Sequence, residues 1–91
     1  MEETVLMMLR SRLDEPPHEK DEFLAELIRA VMVELREKNG IIVRDNSQDI
    51  MFVADICAWR YSNRDKTEEM PRWLRQMLRD RYMQEVRNAA E

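Results

Sequence analysis

Glycine, cysteine and histidine each occur once in this chain and proline three times, and the aromatic residues number only six. A lone glycine, Gly40, excludes the glycine-rich loops that cradle phosphates. A lone cysteine, Cys57, excludes an internal disulfide, and its place inside the most apolar stretch assigns it to the core as a small hydrophobe. His18 is expected in a loop and Cys57 in the core, so no His/Cys ligand set is expected to converge; His18 is expected in solvent, with Glu19 and Glu22 offering no more than an adventitious cation contact. The hydroxyls are Thr4, Ser11, Ser47, Ser62, Thr67 and two tyrosines, none in a strained turn beside a histidine. We therefore expect no enzyme, with no catalytic residue, cofactor or metal. No apolar run approaches the roughly 20 residues of a membrane span. The N-terminal EETVLMML is acidic where a signal peptide is basic. Neither insertion nor secretion is expected, which places the chain inside a cell when it is made.

What is abundant points to helix. The chain has 91 residues, eight of them methionine, and is rich in Glu, Arg, Leu and Ala, all good helix formers. One domain, residues 1–91, is expected. At this size only roughly 60–65% of the unfolded surface is buried on folding, so oligomerisation would add stability.

The stretch Asp49 to Tyr61, DIMFVADICAWRY, organises the rest. Ile50, Met51, Phe52, Val53, Ala54, Ile56, Cys57, Ala58 and Trp59 spread around the whole helical circumference, the pattern of a helix enclosed by others. Around it we expect an all-α bundle of about four helices, over residues 2–13, 17–38, 47–62 and 70–87.

The first helix has a face of Val5, Leu6, Leu9 and Leu13, with Met7 and Met8 beside it as core filler or a partner contact. Asp14-Glu15-Pro16-Pro17 ends it. The second helix starts at Pro17 or His18, carries Phe23, Leu24, Leu27, Ile28, Val31 and Leu35 inward, leaves Val33 exposed, and stops at Asn39-Gly40. Ile41 to Val43 is extended: loop packing, or a short strand that only another subunit could pair. Asn46 or Ser47 caps the third helix. Thr67-Glu68-Glu69 is an acidic connection, and the fourth helix starts at Met70-Pro71 with Trp73, Leu74, Met77 and Leu78 on one face. Its end, from Asn88, is expected to fray.

Three charges interrupt apolar surfaces. Asp55 and Arg60 lie inside the central run, and Arg81 falls in the middle of the fourth helix's apolar arc. A buried charge needs a partner, so Asp55 is expected to pair with Arg81 or Arg60, unless each reaches solvent along its own stem. Arg72, Arg75 and Arg79 cluster on the opposite face of the fourth helix, as a solvated face or a contact surface.

The net charge of −4 is uneven: residues 1–57 hold 7 basic and 13 acidic side chains, residues 58–91 hold 8 and 6. Such a chain suits a complementary protein surface, and its acidic balance argues against coating DNA non-specifically. Twelve of the 15 basic residues are arginine, which favours bidentate pairing with carboxylate or phosphate.

The order LMMLRSRLDE, KDEFLAELIRAVMVELREKNG, DIMFVADICAWRYSNRD, EEMPRWLRQMLRDRY resembles the small head-tail connector (adaptor) proteins of tailed bacteriophages and prophages. The likeness is carried mainly by Asp55, Ala58, Trp59, Arg60 and Tyr61, followed after a polar loop by Met70, Pro71, Arg72, Leu74 and Arg75. It implies an all-helical, non-catalytic subunit that forms a ring at the portal, with portal and tail-completion proteins as partners, DNA contact not required, and a location in the virion or in the host bacterial cytoplasm during assembly. Ring closure needs two unlike surfaces, for which Arg72, Arg75 and Arg79 against Glu22 and Glu26 are the candidates. The alternatives are a prophage-encoded DNA-binding regulator and a helical protein-interaction module.

Overall fold

The computed structural model describes residues 1–14, 19–66 and 69–90. Within them the chain is all-α, with four helices: α1 (Glu2–Leu13), α2 (Asp21–Asn39), α3 (Ser47–Ser62) and α4 (Arg72–Ala90). Each helix ends for a local reason. Glu2 and Glu3 open α1 and Arg10 and Arg12 close it, matching the helix dipole. Asp14 then turns left-handed at φ 54°, and its N–H donates to the Arg10 carbonyl. Gly40 ends α2 at φ 65°, a conformation glycine adopts without penalty, and the Ile41 N–H turns back to the Leu35 carbonyl at 2.9 Å. Asn46 caps α3, its Oδ1 accepting from the Asp49 N–H at 2.8 Å. The Pro71 carbonyl accepts from the Leu74 and Arg75 N–H groups, both at 3.1 Å, so α4 begins just after the proline.

α3 is the hub: α1 and α2 pack on it and on each other, and α4 packs on α3. The core joins Val5 and Leu9 of α1, Leu24, Ile28, Val31 and Leu35 of α2, and Phe52, Val53, Ala54, Ile56, Cys57 and Tyr61 of α3. Ile41 plugs it from the α2–α3 connection, and Leu74 is the only residue of α4 classed as buried. The radius of gyration is 13.4 Å, against about 12 Å for a compact chain of this length. The excess fits the end of α4, where every residue from Val86 to Ala90 is exposed. Among the described residues no helix is long and apolar enough to cross a membrane.

Several expectations are corrected here. Glu19 and Lys20 form a turn, so α2 starts at Asp21 and not at Pro17 or His18, two residues that, with Glu15 and Pro16, lie outside the described ones. α4 runs from Arg72 instead of Met70 and stays helical to Ala90 where fraying was expected; Thr67 and Glu68 of the acidic connection lie outside the described residues. Phe23 is 50% exposed and Trp73 51%. Each precedes a fully buried leucine by one residue, about 100° around its helix, and the buried stripe is too narrow to include both. Phe23 instead meets Tyr61 edge-on, ring centroids 5.9 Å apart. Met51 is 43% exposed, so α3 keeps one open edge, continued by the partly exposed Asp55 and Ala58. Met8 packs against the core and Met7 faces solvent. Ile41 to Val43 forms no strand; Ile41 is enclosed and Ile42 exposed.

Candidate functional site

Two charged systems divide the molecule, one turned inward and one outward. The inward system locks α4 to α3 and to the connection before it. The Arg81 guanidinium forks onto Asp49, with Nε 3.0 Å from Oδ1 and Nη2 3.1 Å from Oδ2. Nη2 also donates to the Ile42 carbonyl at 2.9 Å and lies 2.8 Å from Glu85, one turn along α4. Asp49 Oδ2 accepts the Arg44 N–H at 2.8 Å, and the Arg44 side chain reaches Glu85 at 2.7 Å. The side chains of Asp49 and Arg81 are only 6% and 10% exposed.

Burial alone would raise the Asp49 carboxyl pKa. The Arg81 hydrogen bonds, the Arg44 N–H and the two guanidinium charges outweigh it and hold that pKa below its ordinary value. Arg81 is shifted up, chiefly by its bonds to Asp49. Glu85 is shifted down, first by Arg44 and then, against partial burial, by Arg81. Burial pushes the Cys57 thiol up to about 12, which leaves it inert as a nucleophile near neutral pH.

The expected Asp55 pairing is overturned. Asp55 binds Arg12 of α1, and Arg60 binds Glu34 of α2, both at partly exposed rims. The reason is rotation: Asp55 lies six residues after Asp49, about 240° around α3, so it faces α1 while Asp49 faces α4. Arg60, five residues beyond Asp55, swings away again toward α2. Arg81 does need a carboxylate, as its position in the apolar arc implies, and that carboxylate is Asp49. Helical spacing holds the missed signal, because Asp49 precedes Val53 and Ile56 by one and two turns on the buried face, and Glu85 follows Arg81 by one turn.

The outward system is the exposed face of α4. Among the described residues, eight of the twelve arginines are engaged. Arg10 lies 3.6 Å from Asp21, Arg29 contacts Glu2 and Glu26, and Arg36 contacts Glu37. Arg12, Arg44, Arg60 and Arg81 are held as described, and Arg64 lies over the Tyr61 ring, 4.1 Å from its centroid. The other four, Arg72, Arg75, Arg79 and Arg87, are exposed on α4 with no carboxylate in ion-pair distance among the described residues. Arg72, Arg75 and Arg79 fall at the i, i+3, i+7 positions of one stripe, which continues through Met83 and Val86, each 43% exposed.

Of the two expected partners, Glu22 is exposed and Glu26 already contacts Arg29. Those two carboxylates are not brought to the arginines within one chain. No group of three or more His, Cys, Asp or Glu side chains converges as a metal site among the described residues, and His18 lies outside them. Two open grooves mix charged and apolar walls, one passing Arg29, Met32, Val33 and Ile42, the other Glu26, Ala30, Val33 and Arg60. Comparison of the chain with family models, with curated proteins and with solved structures finds no match.

Proposed function

We propose that this chain is a structural subunit of a tailed bacteriophage or prophage, a head-tail connector that self-associates into a ring at the portal and joins head to tail after DNA packaging. In this reading it is not an enzyme. It acts by presenting unlike surfaces, first to copies of itself and then to portal and tail-completion proteins, in the host cytoplasm during assembly and then in the virion. The observation that carries the reading is the set of four arginines on α4 without partners among the described residues, in a chain that engages its other eight. α4 holds five basic and two acidic residues, whereas the rest of the chain holds ten basic and seventeen acidic. A subunit with one basic helix and an acidic body attracts copies of itself head to tail, the heterologous contact that closes into rings. The helix order and the segment from Asp55 to Arg75 that resembles the connector family supply the rest of the support.

Native mass spectrometry of the purified chain over a concentration series tests the reading, with light scattering as a check on mass. A closed species is expected, as unlike contacts that close give, and a connector ring sets its size at about ten or more subunits. Arg75→Glu with Arg79→Glu should abolish it and leave the helical circular dichroism of the monomer intact. A monomer or dimer throughout, with salt-sensitive retention on duplex DNA, would replace this reading by that of a DNA-binding regulator. Absence of both would leave a protein-interaction module.

A further inference from the structure

The outer faces of α2 and α4 carry complementary patterns of equal length. On α2 the exposed stripe runs Glu22, Glu26, Ala30, Val33, Glu37, and an open groove runs along it from Glu26 to Glu37, bordered also by Arg29, Lys38 and Arg60. On α4 it runs Arg72, Arg75, Arg79, Met83, Arg87. Glu22 to Glu37 and Arg72 to Arg87 each span fifteen residues, about 22 Å at 1.5 Å per residue.

Laid parallel, the stripes set Glu22 against Arg72, Glu26 against Arg75, the small Ala30 beneath the stem of Arg79, Val33 against Met83 and Glu37 against Arg87. Laid antiparallel, they set Val33 against an arginine and Glu26 against Met83, so charges meet apolar groups. The pattern therefore selects one direction. Glu26 and Glu37 reach their arginines at small cost, because their present partners Arg29 and Arg36 are exposed neighbours on the same helix, and exposed pairs contribute little.

From this register we infer that the α4 stripe of one copy docks parallel to the α2 stripe of the next, with Glu22–Arg72 and Glu37–Arg87 as end clamps and Val33–Met83 as the apolar contact between them. The inference rests on the proposed self-association and names its two faces. The contact joins unlike surfaces, so an open assembly keeps one free stripe at each of its two ends until it closes. Two helices touching over about four turns bury a few hundred Å² per partner, below the roughly 800 Å² of a stable pairwise interface. Isolated pairs should be short-lived, and closure, which gives each subunit two such contacts, should favour the complete assembly over its fragments.

A charge exchange tests the pairing. One variant carries Arg72→Glu and Arg87→Glu, which sets acid against acid at both end clamps; the other carries Glu22→Arg and Glu37→Arg, which sets base against base there. Each alone should remain monomeric by native mass spectrometry, with the circular dichroism and urea midpoint of the wild type. Mixed in equal amounts, they should form assemblies of alternating composition, because each stripe then meets its opposite. Variants that stay monomeric when mixed, under conditions where wild type assembles, overturn the α2 docking face and leave self-association standing. A wild type that never assembles overturns both. If a charge variant fails to fold, a chain carrying Val33→Cys with Met83→Cys gives a second readout. Oxidation should link copies through these positions in a ladder on a non-reducing gel, and a chain that stays monomeric there counts against the register.

Discussion

Removing the Asp49 carboxylate should cost more stability than any other single charge deletion in the protein. Asp49→Ala takes away the two Arg81 hydrogen bonds and the acceptor of the Arg44 N–H, and leaves a guanidinium with only 10% of its side chain exposed. Stripping one partner from a buried ion pair costs ~3–5 kcal/mol. Glu85 and the Ile42 carbonyl remain on Arg81, so the lower end applies, about 3 kcal/mol. For a domain of this size each kcal/mol moves Tm by roughly 4–8 °C, and the drop should be about 12–24 °C.

Urea and thermal melts followed by far-UV circular dichroism measure this, and Asp49→Ala with Arg81→Met in one chain should recover part of the loss, because the unpaired charge is gone. Acid provides an independent check. The Asp49 carboxyl sits below its ordinary pKa in the folded protein, so its contribution is complete above the unfolded value of about 3.9 and disappears as pH falls through the folded value. The gap between wild type and Asp49→Asn should narrow below about pH 4. A loss under about 1 kcal/mol, or a gap that stays constant in acid, would refute the assignment of this pair as the lock between α3 and α4.

Two smaller perturbations follow from the same geometry. Gly40→Ala should lower stability by about 1 kcal/mol with an unchanged urea m-value, because φ of 65° is costly for any residue with a Cβ. The new Cβ would lie 3.4 Å from Tyr82 Cε1, an ordinary contact, so pairing the change with Tyr82→Ala should not relieve the loss; relief would mean that crowding, not backbone conformation, sets the cost. Asp55→Ala should cost under about 1 kcal/mol, since Asp55 and Arg12 are 18% and 39% exposed and an ion pair at such a rim contributes little. A loss above about 2 kcal/mol by chemical denaturation would show the carboxylate doing more than holding Arg12.

Helix boundaries that depend on neighbours in sequence were legible. The Asn46 cap, the Gly40 stop and the limits of α3 follow from short-range hydrogen bonds and backbone preferences. The apolar run identifies α3 as the hub because a helix touched from several sides needs apolar residues at most rotations. Trp73 and Phe23 were misplaced because periodicity marks an apolar arc but not how wide a strip the neighbouring helix covers. Arg81 was recognisable as a charge in need of a partner, yet its partner was hidden: an aspartate in the first turn of a helix is equally at home as a solvated match to the dipole. Spacing puts Asp49 on the face of Val53 and Ile56, but that this end of the face meets Arg81 is decided by where α4 lies, and no short-range pattern contains that. The α4 arginines were visible as a cluster. That they alone among the arginines lack partners among the described residues is visible only once the other eight are placed.

Leu74 is the one buried residue of α4, and Met77, Leu78, the Asp49–Arg81 fork and the contacts of Glu85 with Arg44 and of Arg81 with the Ile42 carbonyl add to the attachment. A helix fastened at so few points has a local opening free energy well below that of the α1–α3 core. Its amide protons should exchange through excursions in which α4 lifts while the other three helices stay folded. The same attachment lets α4 tilt about Leu74 without repacking the core. An assembly built on α4 would inherit that compliance: a change of angle between neighbouring subunits would be absorbed at one apolar pivot and one salt-bridged latch, leaving each subunit's interior undisturbed.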